Sequence, residues 1–332
     1  MIDTQCFKDQ AFDVGKPLLM KWQSDSASPI SAIDKWFQPM REVNEHSKLM
    51  ASTSHLTEMT ATKHLETFSL ARVPYELVYP QLHEGATGTE AVDQFIKSLE
   101  AENDPTRSTV GGILSRLLRQ QVSHEYGSIK RGGTPEQQLL RFEAPLALLV
   151  AALRYNSEAK QVDRLRQLYI AQASLDDLPQ ELLKNLPTPR IVKNAGKGDI
   201  YASSIWLGLE PTYTPLHRDP NPNLFIQLCS SKVVRLLSPS HGDSVFRHLQ
   251  MRLGRHGGSS RIRGPEMMEG PERKLSYEAI WGEPDTSGRE IPMHEAYLTP
   301  GDALFIPKGW WHSIKSGFDD GRLNGSVNWW FR

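Results

Sequence analysis

Apolar residues along this chain recur with two different spacings, and the change between them divides it. From Met1 to about Gln81, short apolar pieces such as Pro17–Met20 and Tyr75–Tyr79 sit among polar and turn-forming residues. They read as strands or edge strands, with a short helix over Ile33–Phe37. The stretch Glu42–Lys63 is polar and rich in Ser and Thr, and reads as a surface loop. Helical spacing then takes over. Val92, Phe95, Ile96 and Leu99 form one stripe, and Ile113, Leu114, Leu117 and Leu118 a second. Leu139, Leu140, Phe142 and then Leu146–Leu153 form a third. Gly132-Gly133 punctuates this zone, with Thr134 placed as an N-cap and Pro135 at the first helical position.

Beyond about residue 165 the runs become short, apolar and turn-bounded: Leu168–Ala171, Ser204–Gly208, Leu224–Leu228, Val233–Leu237, Ala303–Pro307 and Ser326–Phe331. Many short strands without alternating helices predict an antiparallel barrel or double-sheet jelly roll. The expected architecture is therefore mainly β with helical elaborations, in a single domain spanning 1–332. Residues of about 90–160 form the helical elaboration and about 165–332 the barrel core. One long segment, Ser240–Tyr297, interrupts the strands and is rich in Gly, Arg, Pro and Met. An insertion of that length is usually functional or disordered. It predicts a lid over the barrel mouth, with turn-formers across Gly254–Gly270.

Composition narrows the function classes. Thirty-eight basic residues against 39 acidic ones leave a formal charge of −1, which gives no long-range pull toward nucleic acid or an anionic membrane. Arg247, Arg252, Arg255, Arg261 and Arg263 cluster in the insertion, but Glu266, Glu269 and Glu272 follow closely, so a charge-mixed solvated loop is favoured over a nucleic-acid site. No run approaches the ~20 apolar residues of a membrane span. The first residues lack the apolar stretch of a signal peptide. Cys6 and Cys229 are the only cysteines, too few for a disulfide framework or a cysteine zinc site. An intracellular protein, cytoplasmic or nuclear, is expected.

Eleven histidines are scattered along the chain. His46, His55, His64, His83 and His124 lie in polar or helical surroundings and read as surface or packing residues. His241, His248, His256 and His294 sit in the insertion, within reach of a substrate. His217 and Asp219 differ. They form H-x-D in Thr214-Pro215-Leu216-His217-Arg218-Asp219, just after a strand-like run. In an extended segment residues i and i+2 project to the same face, so both side chains reach one point. His312, after the strand-like Gly301–Pro307 and Trp310-Trp311, is the candidate third ligand. Two imidazoles and a carboxylate on one face of a metal suit Fe(II) oxygen chemistry and leave coordination positions open. An isolated H-x-D occurs by chance, and a histidine between aromatic residues is equally a core histidine.

The wider pattern is more specific. Asn223 and Lys232 stand six and fifteen residues beyond His217, Thr214 three before it, and Leu168-Tyr169 and Val327-Asn328-Trp329-Trp330 flank the whole. With the G-D-x-L-x-I-P run before His312, this set resembles the JmjC (jumonji C), cupin-like 2-oxoglutarate oxygenases, over Leu168–Arg332. Within that group it looks most like the asparaginyl hydroxylase that inhibits hypoxia-inducible factor. The resemblance implies a double-stranded β-helix core and Fe(II) on His217, Asp219 and His312. It also implies 2-oxoglutarate as cosubstrate, with its distal carboxylate on Lys232, Thr214 and Tyr169. Asn223 and Asn328 are then amides orienting the cosubstrate and the O2 site. A buried carboxylate needs a cation and donors, which is why a lysine belongs there. The helical elaboration and the insertion have no counterpart in the resemblance, so they are the expected substrate walls.

These features imply a dioxygenase that hydroxylates an unactivated C–H bond and releases succinate and CO2, with a protein or peptide side chain as the favoured target. Oxidation of a small-molecule metabolite is the runner-up, and a non-catalytic cupin-like binding protein is a third class. Demethylation of a methylated lysine uses closely similar chemistry. The sequence leaves the oxidised atom and the oligomeric state open.

Overall fold

The computed structural model of the protein describes residues 2–22, 30–40, 57–79, 87–101, 104–125, 138–254, 270–283 and 292–332. The strands are β1 (Leu18–Met20), β2 (Phe37–Pro39), β3 (Met59–Ala61), β4 (Arg72–Tyr79), β5 (Gln138–Pro145), β6 (Leu168–Ser174) and β7 (Ile200–Leu209). They continue with β8 (Tyr213–Arg218), β9 (Asn223–Cys229), β10 (Lys232–Leu237), β11 (His294–Leu298), β12 (Ala303–Ile306), β13 (Trp311–Ser316) and β14 (Leu323–Phe331). Among the described residues they form an eight-stranded sheet in the order β1-β12-β9-β14-β7-β6-β4-β5, a four-stranded sheet in the order β11-β10-β13-β8 and a two-stranded β2-β3 ribbon. Every pairing is antiparallel. This is the jelly-roll core that the run of short strands predicted.

Strand β9 is buried at all seven positions, as a central strand covered on both faces should be. Its end carries the chain to the other sheet. Ser230 adopts φ +57, a left-handed conformation uncommon for a non-glycine residue. Its hydroxyl donates to the Glu210 carboxylate at 2.6 Å, which anchors the turn. Lys232 therefore opens β10 at a fixed place between the sheets, opposite Ser316 of β13 and Leu298 of β11.

One cluster of buried apolar side chains runs from Phe7 to Phe331 and includes the buried face of the Ala147–Glu158 helix. The chain's first residues belong to it, since Phe7 meets Phe305 edge-on and Phe12 stacks on Phe331. A smaller cluster between the two sheets holds Phe225, Val234, Leu236, Leu298, Leu304 and Ile306.

Two expectations need correction. Leu139, Leu140 and Phe142 do not continue a helix but lie in β5, where Leu140 pairs with Leu77 and Phe142 stacks on Tyr75 at 5.7 Å. Leu140, Phe142 and Ala144 also fit a period of two, and the partner β4 lies too far away in sequence to tip a local reading. The cap assigned to Thr134 and Pro135 lies outside the described residues.

The insertion is the second. It does have ordered structure packed on the barrel. Its described parts include the Pro239–Arg252 helix, capped by Ser238, and the Gly270–Trp281 helix. Val245, Phe246, Leu249 and Ile280 from these helices bury against Leu216, Leu237 and Trp311. The last residues assigned to the insertion form β11, which pairs with β10. Residues 255–269, on which the lid expectation chiefly rests, lie outside the described residues, as do most of the polar stretch 42–63 and His46, His55, His83 and His256.

Candidate metal centre and carboxylate pocket

Strands β8 and β13 pair so that His217 stands directly across from His312, their rings 4.2 Å apart between centroids. Asp219 follows two residues after His217 on the same side. His217 Nε2 lies 3.9 Å from Asp219 Oδ1, and His312 Nε2 lies 3.6 Å from Asp219 Oδ2. One donor atom from each of the three lies within 4.8 Å of the others. His312 is 1 % exposed. Burial, and then the neighbouring His217, hold it well below the ordinary histidine range, so it is neutral at physiological pH, as a ligand must be.

The surroundings aim these groups. His217 Nδ1 lies 2.9 Å from the Pro215 carbonyl and His312 Nδ1 3.2 Å from the Trp310 carbonyl. A carbonyl only accepts, so each Nδ1 carries a proton and each Nε2 faces Asp219. Asp219 Oδ2 accepts from Asn223 Nδ2 at 2.9 Å and from the Trp330 indole at 2.7 Å. Asn328 Nδ2 in turn donates to Asn223 Oδ1 at 2.8 Å. The two asparagines thus form a relay that orients the Asp219 carboxylate. Asn328 Oδ1 is buried and has no hydrogen-bond partner among the described residues. That atom and the converging donor set fit a bound metal with an attached ligand.

Beyond the triad, a pocket open to solvent continues between the sheets. Thr214, Tyr169 and Lys232 line it together with Asn223, Asn328 and both histidines. Lys232 Nζ donates to the Tyr169 hydroxyl at 2.9 Å and to Ser326 Oγ at 2.8 Å. Both partners are neutral, and no carboxylate pairs with Lys232 among the described residues. Burial drives its ammonium from 10.5 down to about 7, opposed by the Glu210 charge. Burial also pushes the Tyr169 phenol up, so it remains a neutral hydroxyl. A buried cation with hydroxyls but no counter-ion is a place prepared for a carboxylate. Gly208 permits the approach that delivers Tyr169: a Cβ there would stand 2.6 Å from the Tyr169 Cα across the β6–β7 pairing.

All eight residues singled out in the sequence border this one site. Two further residues belong to the site that the sequence reading gave no role: Trp330, which lines the pocket and holds Asp219, and Ser326, which holds Lys232. Ser326, Asn328 and Trp330 are spaced by two on β14, so once Asn328 was assigned inward its neighbours on that face were implied. The pocket wall also includes Glu76, Val78, Leu139, Trp206 and Arg273, from β4, β5, β7 and the Gly270–Trp281 helix. His241, His248 and His294 do not line it.

Fold and site together define a cupin-type barrel with a His-Asp-His donor set that could hold a metal ion. The chain belongs to the cupin-like domain family, whose pattern it matches over residues 84–332. Among curated proteins it is similar to lysine-specific demethylase 8 of Danio rerio, 29% identical over 165 residues, covering 49% of this chain and 36% of that protein. It is 26% identical to JmjC domain-containing protein D of Dictyostelium discoideum over 158 residues, 45% of this chain and 32% of that protein. Lysine-specific demethylase JMJ30 of Arabidopsis thaliana is 27% identical over 148 residues, 45% of this chain and 30% of that protein. The match thus spans about a third of the length of these relatives, all of them JmjC proteins or demethylases by name. No helix among the described residues is long and apolar enough to cross a membrane.

Proposed function

We propose that this protein is an Fe(II)- and 2-oxoglutarate-dependent oxygenase that hydroxylates an unactivated C–H bond on a protein or peptide side chain. The observation that carries the reading is one pocket with a His-Asp-His donor set at one end and a buried, unpaired lysine deeper between the sheets. His217, Asp219 and His312 would hold the metal, with Nε2 of each histidine as the ligand atom. When bound, iron with 2-oxoglutarate and O2 supplies the oxidising power, and the cosubstrate leaves as succinate and CO2. The chain's own part is binding and orientation. Lys232 receives the distal carboxylate, with the Tyr169, Ser326 and Thr214 hydroxyls around it. Asn223 and Trp330 restrain Asp219 Oδ2, which favours Oδ1 as ligand, and Asn328 steadies Asn223.

Protein substrates are supported by relatives named as lysine-specific demethylases, and hydroxylation by the motif likeness to the asparaginyl hydroxylase. Those names also favour a second reading, in which the hydroxylated carbon is an N-methyl group that is then lost as formaldehyde. The test is iron-dependent conversion of 2-oxoglutarate to succinate, followed by mass spectrometry of peptide and metabolite pools. A gain of 16 Da on peptides supports hydroxylation. A loss of 14 Da with formaldehyde assigns demethylation, and a gain confined to metabolites assigns a small-molecule substrate. A protein that binds neither divalent metal nor 2-oxoglutarate is a non-catalytic barrel.

A further inference from the structure

The paired histidines occupy a weak point of their own sheet. His217 and His312 form one rung of the β8–β13 ladder, and the next rung, Arg218 opposite Trp311, is the last. On the other side the ladder is interrupted by a bulge between His312 and Ile314. Strand β13 is also held by β10, with Leu236 opposite His312 and Leu237 opposite Trp311, so it is the β8 side of the rung, between the bulge and the strand's end, that backbone pairing holds least. Two imidazoles that must converge on one ion need better restraint than that.

Restraint comes from outside the barrel. The Arg218–Trp311 rung faces away from the pocket, onto the Pro239–Arg252 helix. There Asp243 Oδ1 accepts from Arg218 Nη1 and from Trp311 Nε1, each at 3.1 Å, so one oxygen bridges the two strands. The Arg218 guanidinium also lies over the Trp311 ring, 5.3 Å from its centroid. The preceding residue explains how the helix comes so close. A Cβ at Gly242 would stand 2.1 Å from the Trp311 ring, so only glycine allows this approach. Phe246, one turn on, packs against the same indole at 5.2 Å.

We propose that Asp243 is a positioning residue for the metal centre: it locks the β8 and β13 residues adjoining His217 and His312, making the insertion helix a brace for the triad. This rests on the reading of His217, Asp219 and His312 as metal ligands. The ion pair with Arg218 contributes little by itself, because the Asp243 side chain is 42% exposed. The bond to Trp311 matters more, since that residue is fully buried and its N–H has no other described acceptor. The insertion is thereby mechanically linked to the metal ligands as well as to the pocket wall.

The experiment is Co(II) titration of the purified full chain, followed by the visible d–d spectrum of the bound ion and checked by circular dichroism. Asp243→Ala should weaken Co(II) binding roughly tenfold, the lower end for a lost outer partner of a ligand. It should also alter the band pattern, while Asp243→Asn, which keeps the acceptor, should restore affinity to within about threefold. Trp311→Phe keeps the ring against Gly242 and Phe246 and removes only the N–H. It should reproduce the Asp243→Ala effect and decides the matter if Asp243→Ala does not fold. Combining Trp311→Phe with Asp243→Ala should add little to Asp243→Ala alone, since both delete the Asp243–Trp311 bond and Asp243→Ala removes besides it only the half-exposed pair with Arg218. His217→Ala separates the two levels. If it abolishes Co(II) binding while the folded Asp243 and Trp311 variants keep the native affinity and spectrum, the brace is wrong and the metal reading stands. If His217→Ala binds Co(II) as the unsubstituted protein does, the metal reading fails and the brace with it.

Discussion

Lys232 gives the sharpest quantitative expectation, because its cost in the free protein and its use in the bound one are the same charge. It is 4% exposed and bonds only to neutral hydroxyls, and burial lowers its pKa from 10.5 to about 7. A carboxylate docking on it restores the ammonium, so above about pH 7 binding must take up a proton. Affinity is then flat below pH 7 and falls up to tenfold per unit above it. Between pH 6.5 and 8.5 the dissociation constant should rise about 25-fold by this linkage. Lys232→Met should abolish that slope and weaken binding at pH 6.5 by about 1.5–3 kcal/mol, or roughly 10- to 150-fold. The assay is calorimetric titration of Zn(II)-saturated protein with N-oxalylglycine, in buffers of different ionisation enthalpy that count the protons. Saturating zinc keeps both histidines out of the titration. Stability carries the opposite sign. Between about pH 7 and 10.5 the unfolded chain binds more protons at this lysine, so its penalty is full below pH 7 and vanishes above 10.5. A shift of that size corresponds to roughly 5 kcal/mol, so Lys232→Met should melt several degrees higher at neutral pH. A dissociation constant independent of pH, or the same slope in Lys232→Met, would refute the assignment of this lysine as the carboxylate's cation.

Three further outcomes follow from the same geometry. Asp219→Ala should leave the circular dichroism spectrum intact and remove metal-dependent 2-oxoglutarate turnover, checked by succinate release; full turnover would sink the triad assignment. Trp330→Phe keeps an aromatic ring but removes the N–H held by Asp219, so metal affinity should fall about 10- to 100-fold by titration, with little change in melting temperature. Gly242→Ala forces a methyl into the Trp311 ring, and overpacking of this kind should destabilise by about 1–3 kcal/mol in urea; an unchanged midpoint would mean that the helix shifts freely.

Much of the site was readable in the sequence because its information is local. His217 and Asp219 share a face by the period of a strand, and Thr214, Asn223 and Lys232 lie at short fixed intervals from them. The antiparallel barrel was likewise legible in turn-bounded apolar runs. Partnership across the sheets was less accessible. Leu139 to Phe142 satisfied both helical and strand spacing, and only pairing with β4, more than sixty residues earlier, makes them a strand and puts Leu139 on the pocket wall. Trp330 and Asp243 escaped for a related reason. Each acts through hydrogen bonds to residues distant in sequence: strand spacing puts Trp330 on the inward face but does not mark its indole as the partner of Asp219, and nothing local marks Asp243 as the partner of Arg218 and Trp311.

The division between legible and illegible residues follows the division of labour in the protein. Groups that would touch metal and cosubstrate sit on or at the ends of β6, β8, β9, β10, β13 and β14, where strand period and sheet register fix them. The residues that would meet a substrate come from β4, β5 and the Gly270–Trp281 helix, outside that frame. Here the wall carries charge of both signs: Glu76 is paired with Arg141 at 2.9 Å, and Arg273 lies over the Tyr213 ring at 4.7 Å. These charges are already engaged, so an incoming side chain must compete with or join existing contacts. Selectivity should therefore respond to exchange of Glu76 and Arg273 while cosubstrate binding does not. Measuring N-oxalylglycine affinity alongside substrate oxidation in Glu76→Gln and Arg273→Met tests the separation. A loss of both together would mean that the two walls are one site, and that the barrel's register does not insulate the chemistry from the choice of target.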